Sequence, residues 1–232
     1  MPAARTRPDL RHERDLVRRG AAPVAGVDEV GRGALAGPLY AAAVILPTDR
    51  RSLARTLRSV RDSKALTARQ RHECAELVRS HALAWSVTFA TADEVERFGP
   101  LRATVLAMRR AIAALPVTPR HVLIDHLRLP GLPIDQTPVT RGDARCLSVA
   151  AASILAKVAR DRAMDALARD FPVYGFAHNK GYGTPAHLQA LRRWGPCPIH
   201  RRNFEPVTTL ARYQPGLFEI EDVPALGSEL SA

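Results

Sequence analysis

The feature that most constrains the fold is a pair of apolar runs of strand length joined by a glycine-rich turn. The first run, VAGVDEV, covers residues 24–30, and the turn GRGALAGP follows it. The second run covers residues 39–46 and is followed by Pro47. Short continuous apolar runs bounded by glycine and proline are typical of strands buried in a sheet. The sequence therefore predicts two neighbouring buried strands.

The chain between this strand pair and residue 170 alternates between helix and strand patterns. Leu101, Val105 and Met108 recur at the spacing of one helix face. The small residues of AAAS at 150–153 would allow a helix to approach a sheet closely. The further elements predicted for this part of the chain are helices over 67–81, 100–115 and 144–168 and strands over 83–91, 121–125 and 138–140. This pattern predicts an α/β fold with a central sheet flanked by helices.

Composition divides the chain into four segments. Residues 1–22 carry six arginines and few apolar residues, which indicates a basic N-terminal arm with a short helix over 10–19. Residues 23–170 contain the predicted sheet and form the main domain. Residues 171–210, rich in glycine and proline, form a small C-terminal helical appendage. Residues 211–232 are acidic and without periodicity, so we expect a flexible tail.

The charge of the chain is strongly positive. It has 34 Lys and Arg against 23 Asp and Glu, a formal charge of +11, and a pI near 10.7. Such an excess favours a polyanionic partner, of which nucleic acid is the leading candidate. The alternative is a general compositional bias toward arginine.

Membrane, secretion and disulfide signals are weak in this sequence. No apolar stretch approaches the roughly 20 residues that span a bilayer, and the first residues lack the apolar core of a signal peptide. Cys74, Cys146 and Cys197 are far apart without a CxxC pair, which favours neither a disulfide framework nor a zinc site. We expect a cytoplasmic protein with reduced thiols, no membrane contact and a monomeric state.

Acidic residues occupy unusual positions in the apolar strands. Asp28 and Glu29 lie inside the first run, Asp125 ends the run HVLID, and Asp143 precedes the long helix. Burying carboxylates without lysine partners is costly unless they bind a metal, and oxygen ligands select Mg²⁺ or Mn²⁺. As alternatives, Asp143 would cap a helix and Asp125 would end a strand in a turn. Because neighbours on a strand face opposite sides, Asp28 and Glu29 reach one site only where the strand ends or twists.

The turn Gly31-Arg32-Gly33 joins a guanidinium to two residues without a Cβ. Such a turn lets backbone amides approach a phosphate or a sugar closely. The alternative is an ordinary tight turn that carries a surface arginine.

With these motifs assembled, the chain resembles ribonuclease HII, the type 2 ribonuclease H family. The resemblance covers roughly residues 24–207. The motifs that carry it occur in family order: GVDEVGRGALAGPLYAAAVILP at 26–47, DSKAL at 62–66, LID at 123–125, GDARCLSVAAASILAKVARD at 142–161, and YGFAHNKGYGTPAHLQAL with HRRNFEPV up to 207.

The resemblance implies roles for particular residues. It implies a ribonuclease H-like mixed sheet flanked by helices, with a metal-binding and catalytic quartet at Asp28, Glu29, Asp125 and Asp143. Nucleic-acid-binding positions would be the Gly31-Arg32-Gly33 motif, which senses the ribonucleotide junction, together with Lys64, Lys157 and Tyr182. From the residues alone, Tyr182 could equally be a packed aromatic in a glycine-rich loop, and both lysines could be solvated charges.

Several positions depart from the family pattern. His126 follows Asp125 where the family has glycine, Ala34 stands in place of proline, and Gly99 in place of asparagine. DSKAL, in place of DSKKL, has one lysine fewer. We expect these departures to affect details of substrate affinity rather than activity.

The implied activity is that of an endonuclease that acts on the RNA strand of RNA/DNA hybrids and 5′ of single ribonucleotides in duplex DNA. Two Mn²⁺ or Mg²⁺ ions roughly 4 Å apart would catalyse a hydrolysis that leaves 5′-phosphate and 3′-hydroxyl ends. Three alternatives remain: the sister ribonuclease HIII, a non-catalytic nucleic-acid-binding module on this fold, and a DNA nuclease or integrase-like protein.

The C-terminal tail contains a second candidate motif. Gln214, Leu217 and Phe218 fit the pattern Q-x-x-L-F, which is similar to short peptides by which bacterial replication enzymes dock on the sliding clamp. A Pro-Gly pair precedes the two apolar residues and would hold them extended. The alternative is an apolar pair without function in a disordered tail.

Overall fold

A five-stranded mixed sheet forms the centre of the protein. The computed structural model describes residues 7–212. The strand order is β3-β2-β1-β4-β5, in which β1, β2 and β3 are antiparallel neighbours, and β4 pairs in parallel with β1 and β5. The strands are β1 Val24–Val30, β2 Leu39–Ile45, β3 Ala84–Ala90, β4 His121–Asp125 and β5 Asp135–Val139. The predicted α/β fold with a mixed sheet flanked by helices is confirmed.

Helices cover both faces of the sheet and continue into the C-terminal region. They are α1 Arg11–Arg18, α2 Leu53–Thr56, α3 Ala68–His81, α4 Ala92–Ala113, α5 Leu147–Asp170, α6 Phe176–Asn179, α7 Pro185–Trp194 and α8 Val207–Arg212. Short 3₁₀ turns lie at Ser63–Ala65, Gly142–Ala144 and Pro172–Tyr174. Within residues 7–212, no helix combines the length and the apolarity that crossing a bilayer requires. The three cysteine thiols are free and buried.

The central helix α5 packs directly on β1 and β2. Its residues Ala150, Ala151 and Ala152 are fully buried, and the approach is so close that a Cβ on Gly26 would lie 2.2 Å from the Ser148 carbonyl carbon. Small side chains on the helix and a glycine on the strand therefore fit together. The close approach expected from the AAAS segment is present.

The opposite face of the sheet is covered by α4, which is two helical segments joined at a kink. A capping box of Thr91 and Glu94 begins the first segment. Gly99 has φ 78° and ψ 160°, a region that only glycine adopts readily, and Pro100 begins the second segment. The predicted helix over 100–115 corresponds to the second segment, whereas the first segment was not predicted.

The N-terminal helix α1 is attached to the start of α5. Glu13 is fully buried, and its carboxylate accepts hydrogen bonds from the Ser148 backbone N–H at 2.8 Å and from the Ser148 hydroxyl at 2.7 Å. An acidic group near a helix N-terminus satisfies donors that lack helical partners. Helix α1 of the predicted basic arm is thus hydrogen-bonded to the start of α5.

The predicted helix over 144–168 differs from the structure at its start. Cys146 is extended, with φ −110° and ψ 124°, and forms a β-bridge with Asp9, so α5 begins only at Leu147. A contact with a residue distant in sequence ends the 3₁₀ turn before the helix. The strand predicted over 138–140 is also longer and earlier, because β5 begins at Asp135 where it pairs with His121.

Candidate active site

The carboxylates of the first and fourth strands meet at one edge of the sheet. The parallel register pairs Val27 with Ile124, so Asp28 and Asp125 come next in line on adjacent strands. Asp28 is 6% exposed, and its Oδ1 accepts a hydrogen bond from the Glu29 backbone N–H at 2.8 Å. Strand β1 ends one residue beyond Glu29, at Val30. Glu29 is still paired with β2, one residue before the end of the strand, and its charge acts on Asp28.

Asp143 reaches the same edge through the turn after β5. The Gly142 backbone N–H donates to Asp125 Oδ1 at 2.6 Å, which anchors the 3₁₀ turn that carries Asp143. The residues that precede this turn and α5 are Arg141 and Cys146, so Asp143 is not the N-cap of either element. The structure therefore brings Asp143 to Asp125, and the helix-cap alternative is wrong.

Asp28, Glu29, Asp125 and Asp143 form a carboxylate cluster, in which groups of like charge lie close together. Burial raises the pKa of Asp28 well above its usual range, and the charges of Glu29 and Asp125 raise it further. Burial and Asp125 also raise the pKa of Glu29, although Arg32 acts in the opposite direction. The pKa of Asp143 is raised by burial first and then by Asp125. Asp125 thus acts electrostatically on all three other acids.

The chemistry of this donor set fits a hard divalent cation. Every donor is a carboxylate oxygen, the ligand type that Mg²⁺ and Mn²⁺ prefer. Repulsion between these acids adds to burial in raising their pKa values, and a bound cation would relieve that repulsion. Within residues 7–212, no three His, Cys, Asp or Glu side chains are already spaced as the ligands of one metal ion. The fit to a metal thus rests on donor type, burial and charge.

The two lysines that the resemblance singled out lie in different environments. Lys64, in the turn Ser63–Ala65, is close enough to Asp143 to lower the pKa of that carboxyl. Lys157 donates to Asp161 at 2.6 Å, and both side chains are largely buried. Burial lowers the pKa of Lys157. The structure therefore brings Lys64 to the carboxylate cluster and pairs Lys157 with Asp161.

The turn after β1 is shaped by its first glycine and open at its second. Gly31 has φ 90°, and a Cβ there would lie 2.1 Å from Arg160 Nε. A Cβ on Gly33 would meet no described atom within 4 Å. Arg32 Nη1 lies 3.7 Å from Glu29 Oε1, with the arginine side chain 45% exposed. The turn thus borders the carboxylates and leaves room at Gly33.

A fully buried arginine from the C-terminal region holds this turn in place. Arg201 donates through Nη1 to the carbonyls of Gly31 at 2.8 Å, Arg32 at 3.0 Å and Ala34 at 2.7 Å, and through Nη2 to that of Gly37 at 2.8 Å. Burial lowers its pKa to about 9. Arg201 was not predicted from the sequence, because one buried arginine cannot be told from the many exposed ones by composition.

The loop with Tyr182 is joined to the same turn. The Leu35 backbone N–H donates to the Gly181 carbonyl at 2.8 Å, and the Arg160 guanidinium lies 5.2 Å from the centre of the Tyr182 ring. Tyr182 is half-buried, so the packed-aromatic alternative is partly correct. The glycine turn thus borders the carboxylates and is hydrogen-bonded to the Tyr182 loop.

Of the two remaining sequence features, the structure describes His126 but not the tail motif. His126, in place of the family glycine, is exposed and has φ 58°, a left-handed conformation that histidine tolerates better than most residues. The backbone thus keeps a conformation suited to glycine. The tail residues Gln214, Leu217 and Phe218 lie outside the residues that the structure describes.

Comparison with known sequences shows similarity to ribonucleases HII over most of the chain. The family model Ribonuclease HII matches residues 25–207. The ribonuclease HII of Rhodococcus opacus is 53% identical over 199 residues, which cover 85% of this chain and 86% of that protein. The ribonuclease HII of Chloroflexus aurantiacus is 49% identical over 200 residues, covering 86% of this chain and 94% of that protein.

Solved structures show that the fold of this chain is shared with other ribonucleases H. The ribonuclease H2 of Pyrococcus horikoshii has a TM-score of 0.68 at 25% identity and covers 82% of this chain and 97% of that one. The ribonuclease HII in a PCNA complex from Archaeoglobus fulgidus has a TM-score of 0.66 at 24% identity, with coverages of 81% and 96%. Bst-RNase HIII in complex with Mn²⁺ has a TM-score of 0.61 at 19% identity, with coverages of 83% and 70%.

Proposed function

Because the chain belongs to the ribonuclease HII family, whose members are endonucleases acting on the RNA strand of RNA/DNA hybrids, we propose that it also cuts 5′ of single ribonucleotides embedded in duplex DNA. The observation that carries the proposal is that three features adjoin one another in sequence of contact. These are the buried carboxylate cluster, the turn at residues 31–33 and the Tyr182 loop. An arrangement of this kind can place one sugar of a duplex beside the cluster.

In this proposal, Asp28, Glu29, Asp125 and Asp143 hold two divalent ions. Such ions would supply activation of water and stabilisation of negative charge at the phosphate that is cut. Hydrolysis with the 3′ oxygen as the leaving group would give 5′-phosphate and 3′-hydroxyl ends. The bound Mn²⁺ of the structurally similar Bst-RNase HIII supports Mn²⁺ as one such ion, and the all-oxygen donor set suits Mg²⁺ equally. Asp125 orients the Asp143 turn through its hydrogen bond with Gly142.

Recognition of the ribonucleotide falls to the surface formed by the turn and the Tyr182 loop. The open space at Gly33 admits a sugar close to the backbone, and the half-buried ring of Tyr182 offers a face and a hydroxyl to a 2′-OH. The partly exposed Arg32 and the nearby Lys64 add positive charge for the phosphates. Phosphate and sugar contacts carry no base information, so we expect negligible sequence specificity.

The experiment that tests this function compares two duplexes of one sequence. One duplex contains a single ribonucleotide and the other is entirely DNA, and each is incubated with the protein and Mn²⁺ or Mg²⁺. The expected result is one cut 5′ of the ribonucleotide, with 3′-hydroxyl and 5′-phosphate ends, and no cut in the DNA control. Equal cutting of both duplexes would favour a DNA nuclease, and cutting of neither would favour a binding module.

We expect Arg32→Ala and Tyr182→Ala to lower cleavage at a single embedded ribonucleotide by about tenfold or more, the value of one lost charged or hydroxyl contact. Cleavage of a continuous RNA/DNA hybrid should fall less, because many registers of a hybrid can occupy the site. The measurement is kcat/KM on both substrates.

Tyr182→Phe serves as the matched control for this prediction, because it keeps the ring beside Arg160 and removes only the hydroxyl. It separates packing from contact with the 2′-OH. Equal losses on the two substrates for Arg32→Ala and Tyr182→Ala would mean that these residues bind phosphate without reading the ribonucleotide junction.

The C-terminal tail is proposed to tether the enzyme to a sliding clamp. The Archaeoglobus ribonuclease HII is in a complex with PCNA, and Gln214, Leu217 and Phe218 of this chain fit a clamp-docking pattern. A short peptide of this kind is expected to bind with a Kd on the order of micromolar and to act through effective concentration.

A peptide of residues 210–222 should therefore bind the sliding clamp of the same organism in a calorimetric titration. The same peptide with Leu217→Ala and Phe218→Ala should bind at least about tenfold more weakly, since it lacks both apolar anchors. Indistinguishable affinities of the two peptides would refute the tether. The double substitution in the full-length enzyme should leave cleavage of a free oligonucleotide duplex unchanged.

A further inference from the structure

Two histidines are buried in contact with each other in the C-terminal region, away from the carboxylates. His187 lies in the first turn of α7 and His200 in the segment after that helix, and their side chains are 0% and 1% exposed. The His187 Nε2 and His200 Nε2 atoms are 3.0 Å apart. Neither ring has a part in the function proposed above, yet burying two imidazoles requires that their nitrogens find partners.

The partners at the two ends of this pair fix the position of every proton. The Cys197 backbone N–H can only donate, and it lies 3.0 Å from His200 Nδ1. A neutral His200 therefore carries its proton on Nε2 and donates it to His187 Nε2. His187 then carries its proton on Nδ1, which lies 2.9 Å from the Tyr182 carbonyl, a group that can only accept. The donor at one end of the pair and the acceptor at the other therefore require the same direction of hydrogen bonding.

The surroundings of the rings favour this neutral arrangement. The groups that face the pair are the rings of Tyr174 and Phe176, the Cys197 thiol and the Tyr182 carbonyl. Burial lowers the pKa of both histidines, and that of His200 falls to about 4, with the neighbouring His187 as a second cause. A proton added to either ring would place two donors face to face.

The chain of hydrogen bonds ends on the residue proposed to contact the ribose. The Tyr182 carbonyl also accepts from the Thr184 backbone N–H at 2.8 Å, so His187 supplies a second, side-chain anchor. At the other end, His200 forms a β-bridge with Ala36, in the segment that follows the glycine turn. The histidine pair thus links the two loops that form the proposed ribose-reading surface.

We propose that His187 is a positioning residue for ribonucleotide recognition: through its Nδ1–H bond to the Tyr182 carbonyl, braced by His200, it sets where the Tyr182 side chain meets the substrate. This inference rests on the proposed function, because it gives that function a further residue. It predicts that losing the bond to Tyr182 lowers discrimination for a single ribonucleotide, while the carboxylate cluster stays intact.

The test uses two amide substitutions of His187, each of which keeps one of its two hydrogen bonds and removes the other. Asparagine at position 187 places an amide N–H near the position of Nδ1 and keeps the bond to Tyr182, whereas glutamine places a carbonyl near Nε2 and keeps the bond to His200. His187→Gln is expected to lose about tenfold in kcat/KM on a single-ribonucleotide duplex and less than threefold on a continuous hybrid. His187→Asn is expected to stay within about threefold of the wild type on both.

A general structural role for His187 would make the two variants equal on both substrates, and that result would overturn the proposal. The reverse order, with Asn impaired and Gln unaffected, would overturn it as well. Thermal melting curves of both variants establish that each is folded under the assay conditions.

A second measurement does not depend on activity. Nitrogen-15 NMR of the wild-type protein should show His187 protonated on Nδ1 and His200 on Nε2 at neutral pH, and the opposite tautomers would overturn the proposal even if neither variant folds. If the wild-type protein does not cut the single-ribonucleotide duplex, the proposed function fails. If it does cut and the two variants behave alike, only the role of His187 fails.

Discussion

Asp28→Asn should lower cleavage of both a hybrid and a single-ribonucleotide duplex by on the order of a thousandfold or more. The substitution removes an anionic oxygen donor from the most deeply buried of the four carboxylates. Loss of a cation there would forfeit several kcal/mol of transition-state stabilisation, and each 1.4 kcal/mol is worth a factor of ten in rate. Binding of the duplex should persist within about threefold, because the variant also loses a negative charge that repels phosphate. Single-turnover rates and fluorescence anisotropy measure the two effects.

Asp125→Asn and Asp143→Asn should behave in the same way, since Asp125 acts electrostatically on every other acid of the cluster. Asp135→Asn is the matched control. It removes the same charge from the exposed first residue of β5, at the opposite edge of the sheet. Cleavage at the wild-type rate by Asp28→Asn in Mn²⁺ would remove Asp28 from the site.

Arg201→Ala should lower the free energy of unfolding by about 3 to 5 kcal/mol. The guanidinium is the donor for carbonyls of four residues in the turn after β1, and each buried acceptor left without a partner costs roughly 1 to 3 kcal/mol. Relief from burying a charge and entry of water offset part of this loss. For a domain of this size the melting temperature should fall by roughly 10 °C, measured by calorimetry.

Arg202→Ala provides the control for this second prediction, because the neighbouring side chain is exposed. It should change the free energy of unfolding by less than about 0.5 kcal/mol. A loss for Arg201→Ala as small as that for Arg202→Ala would mean that the turn keeps its conformation without the guanidinium. The turn would then owe its shape to its own sequence.

The parts of the fold that the sequence predicts are those coded by local pattern. The apolar run 24–30 corresponds to β1 residue for residue, and Thr67 begins α3 with a capping box that Gln70 completes. The strand of residues 121–125 is equally local. The acids Asp28 and Asp125 were recognisable because a charge in an apolar strand needs a partner.

The features that the sequence analysis missed depend on contacts between distant segments. The start of α5 is set by the bridge between Cys146 and Asp9, which no local pattern signals. Arg201 and the histidine pair acquire their roles from the fold that surrounds them. The first segment of α4 is different, because Thr91 and Glu94 have the spacing of a capping box, and its start could have been predicted from that local pattern.

We propose above that the four carboxylates at the edge of the sheet hold the divalent ions of the reaction. Anomalous diffraction from crystals grown with Mn²⁺ and a duplex that carries one ribonucleotide and a non-cleavable scissile linkage would locate these ions. We expect two anomalous peaks beside the scissile phosphate, contacted by oxygens of Asp28, Glu29, Asp125 and Asp143. Peaks held by other residues, or a phosphate bound at the glycine turn with no manganese beside these carboxylates, would contradict it.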